Sequence, residues 1–590
     1  MGDLHGYWGK LARINLSTRD VTYEDIPDDV IEKFFGAKGL AAYYICRELD
    51  LGTSPLSSDN EIALTVGPFQ GTAVPSTGRF CTAAVSPMTG MFLDTYAGGN
   101  FGHSLKKSGF DGVIVEGTSD HPAYITIENG EAYVKDARDL WGLETDTAEQ
   151  ELRSMEGEDS HCVTIGPAGE NLVLFSCLIS DTRRASGRGG LGAVFGSKRL
   201  KAIVAKGSLK VPVSDPKKLK EVVREFNASV RKEKEEGRPF YKYGTTGILE
   251  GASERDRLPT RNYQEAQFER ASDISGEAIY EKYDVKTVPC CPCPIACPAT
   301  LDDKYDRPEY ETLAMLGSNT GNRDLQAIVD ANMLCNRLGL DTISTGGVLG
   351  FAMECSQKGI VEEDIEFGKP EQLRELIRKV AHKEGIGDLL ANGVRKASEE
   401  LGKEAERIAV QVKGLEIPAW DPRGKLGHGL AYMTADIGGS HLRDFYSERG
   451  IPDESALDVV EKVIDGQNFT VERDNYIICA FATDKMTSDM RMRAYEAITG
   501  SPMTAQRLSE ISERVWTLIR AFSVREGPTR AQDILPHRFL RDALPTGVAK
   551  GCTAFVSDED MNLVLDKYYE MRGWDSNGVP LQETLDKLGI

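Results

Sequence analysis

Polar and apolar positions alternate in the first third of the chain and recur with a helical period afterwards. Residues 11–16 alternate, and 21–23 resume after the polar Ser17-Thr-Arg-Asp20, which predicts a hairpin. Further strands are expected at 62–66, 113–116, 123–127, 132–134, 162–165 and 202–205. Asn129-Gly130 is a tight-turn dipeptide that pairs the strands on either side of it. Helices are expected at about 30–50 and 146–156. From Asp215 the pattern changes. Residues 217–236 form a charged stretch of helical period, and helices are then expected over 306–318, 324–338, 370–384, 386–403, 455–465, 505–523 and 559–571. Asp421-Pro-Arg-Gly424 is a turn that opens a last segment. The pattern predicts an α+β chain: a strand-rich domain over 1–208, then two mostly helical domains over 209–420 and 421–590.

Composition narrows the function. The 590 residues carry a net charge of −22 and are 40% apolar. Such an acidic chain does not suit nucleic-acid backbones, which are held by clustered Lys and Arg. The first residues lack the basic and apolar regions of an export signal, and no apolar run reaches the length of a membrane span. A cytoplasmic protein without a membrane span is expected. Four of the 12 cysteines crowd into Cys290-Cys291-Pro-Cys293-Pro-Ile-Ala-Cys297. In a reducing compartment, that density points to metal or redox chemistry.

Cys290, Cys293 and Cys297 have the C-x2-C-x3-C spacing that lets three thiolates converge on an iron–sulfur cluster, with prolines stiffening the loop. Zinc is the rival, although a second close cysteine pair is missing. Cys291 is out of register with the three. Gly187-Arg-Gly-Gly-Leu-Gly192 matches a dinucleotide fingerprint literally, but the pattern gives it neither a strand directly before nor a helix after. A glycine loop carrying Arg183, Arg184 and Arg188 still suits phosphates. Ser76-Thr-Gly-Arg79 is a second small-residue turn bearing an arginine. Glu309 and Glu311, behind Pro308, fit ordinary helix-start chemistry and equally a carboxylate beside a reactive centre. Of the eight histidines, His428 and His441 lie in glycine-rich stretches suited to a pocket.

Taken with Gly6-Tyr-Trp-Gly-Lys-Leu-Ala-Arg-Ile-Asn-Leu16, Leu338-Gly-Leu-Asp-Thr342 and Tyr568-Tyr-Glu-Met-Arg-Gly-Trp574, these motifs make the whole chain resemble the tungsten-containing aldehyde:ferredoxin oxidoreductases. The resemblance implies a tungsten (or molybdenum) bis-pterin cofactor, with Mg2+ on its phosphates, and one [4Fe–4S] cluster, buried between a pterin-binding first domain and the helical domains. It implies paired pterin motifs, here Asn336-Arg-Leu-Gly-Leu-Asp341 and Asp474-Asn-Tyr-Ile-Ile-Cys479. Asn336 replaces an acid, and Ile-Ile replaces Gly-Leu in the second. Cys479 becomes the fourth cluster ligand beside Cys290, Cys293 and Cys297. Arg79 would bridge cluster and pterin. Gly98, Arg184, Ala185, Gly187, Asn336, Leu340, Asp341, Arg443, Asp474 and Ile478 would hold pterin and phosphate groups.

By the same resemblance, His441 and one or both of Glu309 and Glu311 would face the metal, with His441 the general acid/base at an unperturbed pKa. Aldehyde oxidation, with electrons leaving to ferredoxin or a small iron–sulfur subunit, is the expected activity. Reduction of activated acids or aromatic acyl thioesters is the alternative on the same fold, and a zinc-stabilised structural protein the non-enzymatic one. A homodimer is compatible with the family, and Asp330 and His382 are candidates for an interface iron site.

Overall fold

The computed structural model describes residues 5–445 and 455–590. The first residues, on which the expectation of no export signal partly rests, lie outside them. Among the described residues, all strands of four or more residues lie within residues 10–206, in two six-stranded mixed sheets. The first runs Val21–Asp25, Lys10–Asn15, Gly112–Glu116, Ile62–Thr65, Phe80–Val85, Phe92–Ala97. The second runs Arg184–Ser186, Leu178–Ser180, His161–Thr164, Leu200–Lys206, Ala123–Glu128, Glu131–Asp136. Each sheet contains one parallel pair, Lys10–Asn15 with Gly112–Glu116 and Leu200–Lys206 with Ala123–Glu128. The Asn129-Gly130 hairpin forms with Glu128 opposite Glu131. The rest of the chain is helical apart from two small sheets. Among the described residues no helix is long and apolar enough to cross a membrane.

Two six-residue strands escaped the pattern, as did the short Leu178–Ser180, Arg184–Ser186 and those of the small sheets. All six residues of Phe80–Val85 are buried, and five of six in Phe92–Ala97, so there is no polar alternate to mark them. The helices Thr342–Gln357 and Leu426–Thr434 are missed for the same reason, being apolar nearly all round. Ser488–Thr499 is a further helix. The expected helix at 30–50 is two, Asp28–Phe34 and Ala37–Glu48, broken at Phe35 and Gly36. A Cβ at Gly36 would collide with the Asn475 carbonyl, so this glycine lets the segment around Asn475 pack against the N-terminal helices. The expected 386–403 helix is divided into Ile386–Leu390, Gly393–Leu401 and Lys403–Ile408. The expected 306–318 helix contracts to Tyr310–Leu316, while that at 455–465 becomes Val460–Tyr476 and carries Asp474 near its end.

Buried charges join the first domain to the last. Lys38 Nζ lies 2.9 Å from Asp94 and 2.7 Å from Asp436. Arg443 is 2.7 Å from Asp94 and 2.8 Å from Asp436. These side chains are almost solvent-free, where an ion pair persists only with full mutual compensation.

Candidate active site

The cysteine motif lies on a loop closed by two short strands, Val285–Thr287 and Ala299–Leu301, paired through Thr287 and Ala299. Loop 76–79 ties it to the distant cysteine. The Ser76 N–H donates to the Pro292 carbonyl at 2.5 Å, and the Ser76 carbonyl accepts from the Cys479 N–H at 2.9 Å. Ser76 Oγ lies 3.3 Å from Cys293 Sγ, and Arg79 Nη1 lies 4.0 Å from Cys479 Sγ. A Cβ at Gly98 would sit 3.1 Å from Cys290 Sγ, so a larger residue there would crowd that thiol. Cys290, Cys293, Cys297 and Cys479 are half-buried, whereas Cys291 is exposed.

The Cys297 thiol is pushed well above its ordinary pKa, first by burial, then by Glu309, then by the other three cysteines. Four thiols in mutual electrostatic reach, at least one held protonated in the absence of a cation, fit a metal cluster. Among the described residues no three His, Cys, Asp or Glu side chains close on a single ion.

The glycine loop departs from the expectation that its helix is missing. Gly187 follows the strand Arg184–Ser186, and the helix Leu191–Ser197 begins just after Gly190. Its arginines point to buried ground. Arg188 donates to the Glu416 carbonyl and lies 3.3 Å from Asp341, yet its Nε and Nη1 have no hydrogen-bond partner. Arg183 lies 3.3 Å from Asp306, with Nη1 unpartnered, and Asn336 donates to the other oxygen of Asp306 at 3.4 Å. Arg184 donates to the Val288 carbonyl at 3.1 Å, at the foot of the cysteine loop. Ser180 and Ser186 are buried hydroxyls without partners.

Such donors without acceptors are costly unless an acceptor-rich, anionic group occupies the space between them. A pterin phosphate fits that donor set. Asp341 caps the helix Thr342–Gln357 through the Ile343 and Ser344 N–H groups and packs against Gly187, whose Cβ would lie 3.2 Å from its Oδ1. Leu340 bridges to Ser176 through its backbone, and Ala185 is exposed on the strand edge.

In the second motif, Asp474 Oδ1 accepts from Arg473 at 2.8 Å, while Oδ2 is buried without a hydrogen-bond partner, an acceptor fit for a pterin N–H. Ile478 is buried behind it. Arg443 lies 2.7 Å from Asp94 and 2.8 Å from Asp436, and its Nη1 is 3.7 Å from Asp474 Oδ2. Asp330 accepts from Gln326 at 3.0 Å, and no metal site forms around it or His382 among the described residues.

Glu309 and Glu311 separate. They sit two apart at a helix start, and such neighbours do not share a face. Glu309 accepts from the Thr245 hydroxyl and faces Cys297. Glu311 turns the other way, accepting from the Ala419 N–H at 2.8 Å and from Trp420 Nε1 at 3.0 Å, and lies 3.4 Å from His441 Nε2. Burial pushes the Glu311 carboxyl up to about 7. Burial, then Arg188, Lys425 and Arg473, push His441 down to about 3. The expectation of an unperturbed histidine is therefore corrected: at neutral pH His441 is neutral, and Glu311 is the group that titrates.

His441 Nδ1 is buried and unpartnered. Phe445 lies beside both His441 and His428, with ring centroids 6.1 Å and 5.7 Å away, and Trp420 and Tyr432 complete an aromatic surround. Trp420 was not singled out from the sequence, whereas Arg188 was, through its position between two glycines of an anion loop.

A strand-rich base, four cysteines within electrostatic reach of one another and a largely shielded acid–imidazole pair fit an oxidoreductase with a sequestered centre. The chain belongs to the aldehyde ferredoxin oxidoreductase family. Its model of the aldehyde ferredoxin oxidoreductase N-terminal domain matches residues 11–207, and that of domains 2 and 3 matches residues 221–590. The tungsten-containing aldehyde ferredoxin oxidoreductase of Pyrococcus furiosus is 37% identical, the alignment covering 100% of this chain and 99% of the relative. The WOR-like subunit of an aliphatic sulfonate oxidoreductase from the same organism is 31% identical over 100% of this chain and 97% of its own. Among solved structures, the active site complex BamBC of benzoyl coenzyme A reductase with 1,5-dienoyl-CoA superposes with a TM-score of 0.86. It covers 99% of this chain and 97% of that one at 22% identity, which shows the shared fold. The chain is an oxidoreductase of this family.

Proposed function

We propose that the chain oxidises aldehydes, with water, to carboxylic acids at a tungsten bis-pterin centre, and passes electrons through one [4Fe–4S] cluster to ferredoxin or a small iron–sulfur subunit in the cytoplasm. The observation that carries the proposal is the largely shielded Glu311–His441 pair, 3.4 Å apart, beside a floor of donors without acceptors. Cys290, Cys293, Cys297 and Cys479 would hold the cluster. Arg79, Gly98, Arg184, Ala185 and Gly187 would line the cofactor and its Mg2+-bound phosphates. Asn336, Leu340 and Asp341 would serve one pterin, with Asp474 and Ile478 serving the other. The bound cofactor would supply the two-electron redox chemistry.

Conversion of an aldehyde and water to an acid releases two protons with the two electrons, so the protein must take up protons where water attacks. Glu311, at about 7, is poised to do so near neutrality. His441, neutral there, hydrogen-bonds the substrate oxygen or relays the proton between its two nitrogens. Trp420, Tyr432 and Phe445 exclude bulk water, which strengthens every polar contact inside.

The test uses anaerobically purified protein from cells given tungstate and molybdate. Tungsten or molybdenum with about four irons per chain, and viologen reduction by members of an aldehyde panel, is the expected result. Zinc alone would sink the redox reading. A metal-replete protein that reduces no dye with any aldehyde, but consumes acids or aromatic acyl thioesters when supplied with reduced viologen, would establish the reductive alternative.

A further inference from the structure

Arg307 follows the strand Tyr305–Asp306 and is anchored by its N–H on the Ala299 carbonyl at 3.0 Å. Only 5% of the residue is exposed. Its Nη2 donates to the carbonyl of Cys297, and its Nε and Nη1 are buried without partners. Gly244 cradles the guanidinium, and a Cβ there would collide with Nη2. The carboxylates nearest in sequence are turned elsewhere, Asp306 to Arg183 and Glu309 to Thr245. Other buried arginines differ. Arg423, Arg520, Arg538 and Arg572 pair with Asp421, Asp533, Glu354 and Glu513 at 2.6–2.8 Å.

A buried guanidinium without a counter-anion is strongly disfavoured, and in a chain of net charge −22 carboxylates were available to provide one. We propose that the missing anion is the cluster itself: Arg307 orients Cys297 through its carbonyl and raises the reduction potential of the cluster. The inference rests on the iron–sulfur assignment above and adds to it a residue outside the thiols and pterin motifs. An iron–sulfur core held by four thiolates is anionic, and one-electron reduction adds a further negative charge. A fixed buried cation bonded to the carbonyl of a ligand residue favours the reduced form more than the oxidised one.

The test is an EPR-monitored redox titration, with iron counted, on anaerobically purified wild type, Arg307→Gln and Arg307→Lys. Expected is a cluster in each, with the Gln variant shifted down so that its reduced-to-oxidised ratio at a fixed potential falls about tenfold, or 59 mV for one electron. The Lys variant should recover most of the shift, because it restores charge without the planar fork. Potentials unchanged in both variants, or lowered equally in both, would overturn the proposal. Iron lost from the Gln variant but kept in the Lys variant supports it, since the cluster then needs the charge. Iron lost from both overturns it. Wild-type protein without iron would instead defeat the cluster assignment, and this inference with it.

Discussion

Two carboxylates separated by one residue have been given opposite surroundings. Glu309 faces a hydroxyl and a cysteine, whereas Glu311 faces an indole N–H, a backbone N–H and an imidazole. Burial raises the Glu311 pKa to about 7 and depresses that of His441 to about 3, so the single proton of the pair resides on the carboxyl at low pH. Activity should therefore fall as pH drops through about 7. Glu311→Gln should remove that limb and lower kcat by about 10²–10⁴-fold. A pH–rate profile of the two proteins checks it, and an unchanged limb in the variant would assign the titration to another group. The stability sign follows the same shift. A carboxyl raised from 4.5 to about 7 contributes stability fully present below 4.5 and lost as pH rises through 7, and the variant should lack that slope.

At the scale of elements, the two segments expected to hold pterins, 336–341 and 474–479, end their helices alike despite different residues. Gly339 closes Leu325–Leu338 in the left-handed region at φ 75°, and Ile477 closes Val460–Tyr476 there at φ 64°. A β-branched residue in that conformation is strained by roughly 1–2 kcal/mol. The strain is tolerated because the Ile477 side chain is 1% exposed, and truncating such a chain costs about 2–5 kcal/mol. Ile477→Ala loses the packing and keeps the strain, while Ile477→Gly loses the packing and relieves it. The glycine variant should therefore be the more stable of the two by up to about 1 kcal/mol, inverting the usual order. Melting temperatures of the pair decide it, and the usual order would show the turn to be relaxed.

The sequence revealed the spacing of the second motif but not its geometry, since isoleucine hides a turn that glycine would advertise. Elements with a polar face, such as the helix Pro216–Glu235 and the Asn129-Gly130 hairpin, were legible. Elements buried all round, such as Phe80–Val85 and Thr342–Gln357, carried no period to read. Cys290, Cys293 and Cys297 stand out in the sequence by spacing, and Cys479 only by resemblance. The unpartnered Arg307 was not, because nothing in a sequence records which carboxylates turn away.

Over the whole molecule, Lys38 and Asp94 of the first domain and Asp436 and Arg443 near the other end form one solvent-free charge assembly. Asp94 is held down to about 2 despite burial, chiefly by Arg443 and Lys38. Its contribution to stability is thus present above its ordinary 3.8 and lost as pH falls through about 2. Asp94→Asn should cost about 3–5 kcal/mol at neutral pH by leaving two cations short of an anion. Thermal unfolding of the variant checks this, and a change below 1 kcal/mol would show that Asp436 suffices.

Loop 76–79 also bears on how the protein is made. Synthesis delivers that loop first, the triple cysteine segment much later, and Cys479 nearly two hundred residues after it. Ser76, which hydrogen-bonds both cysteine segments, waits through most of translation for its second partner. Completing the proposed four-thiol site must therefore await the emergence of Cys479. Until then the three earlier thiols would lack their fourth partner, and that interval becomes the vulnerable stage in the protein's life.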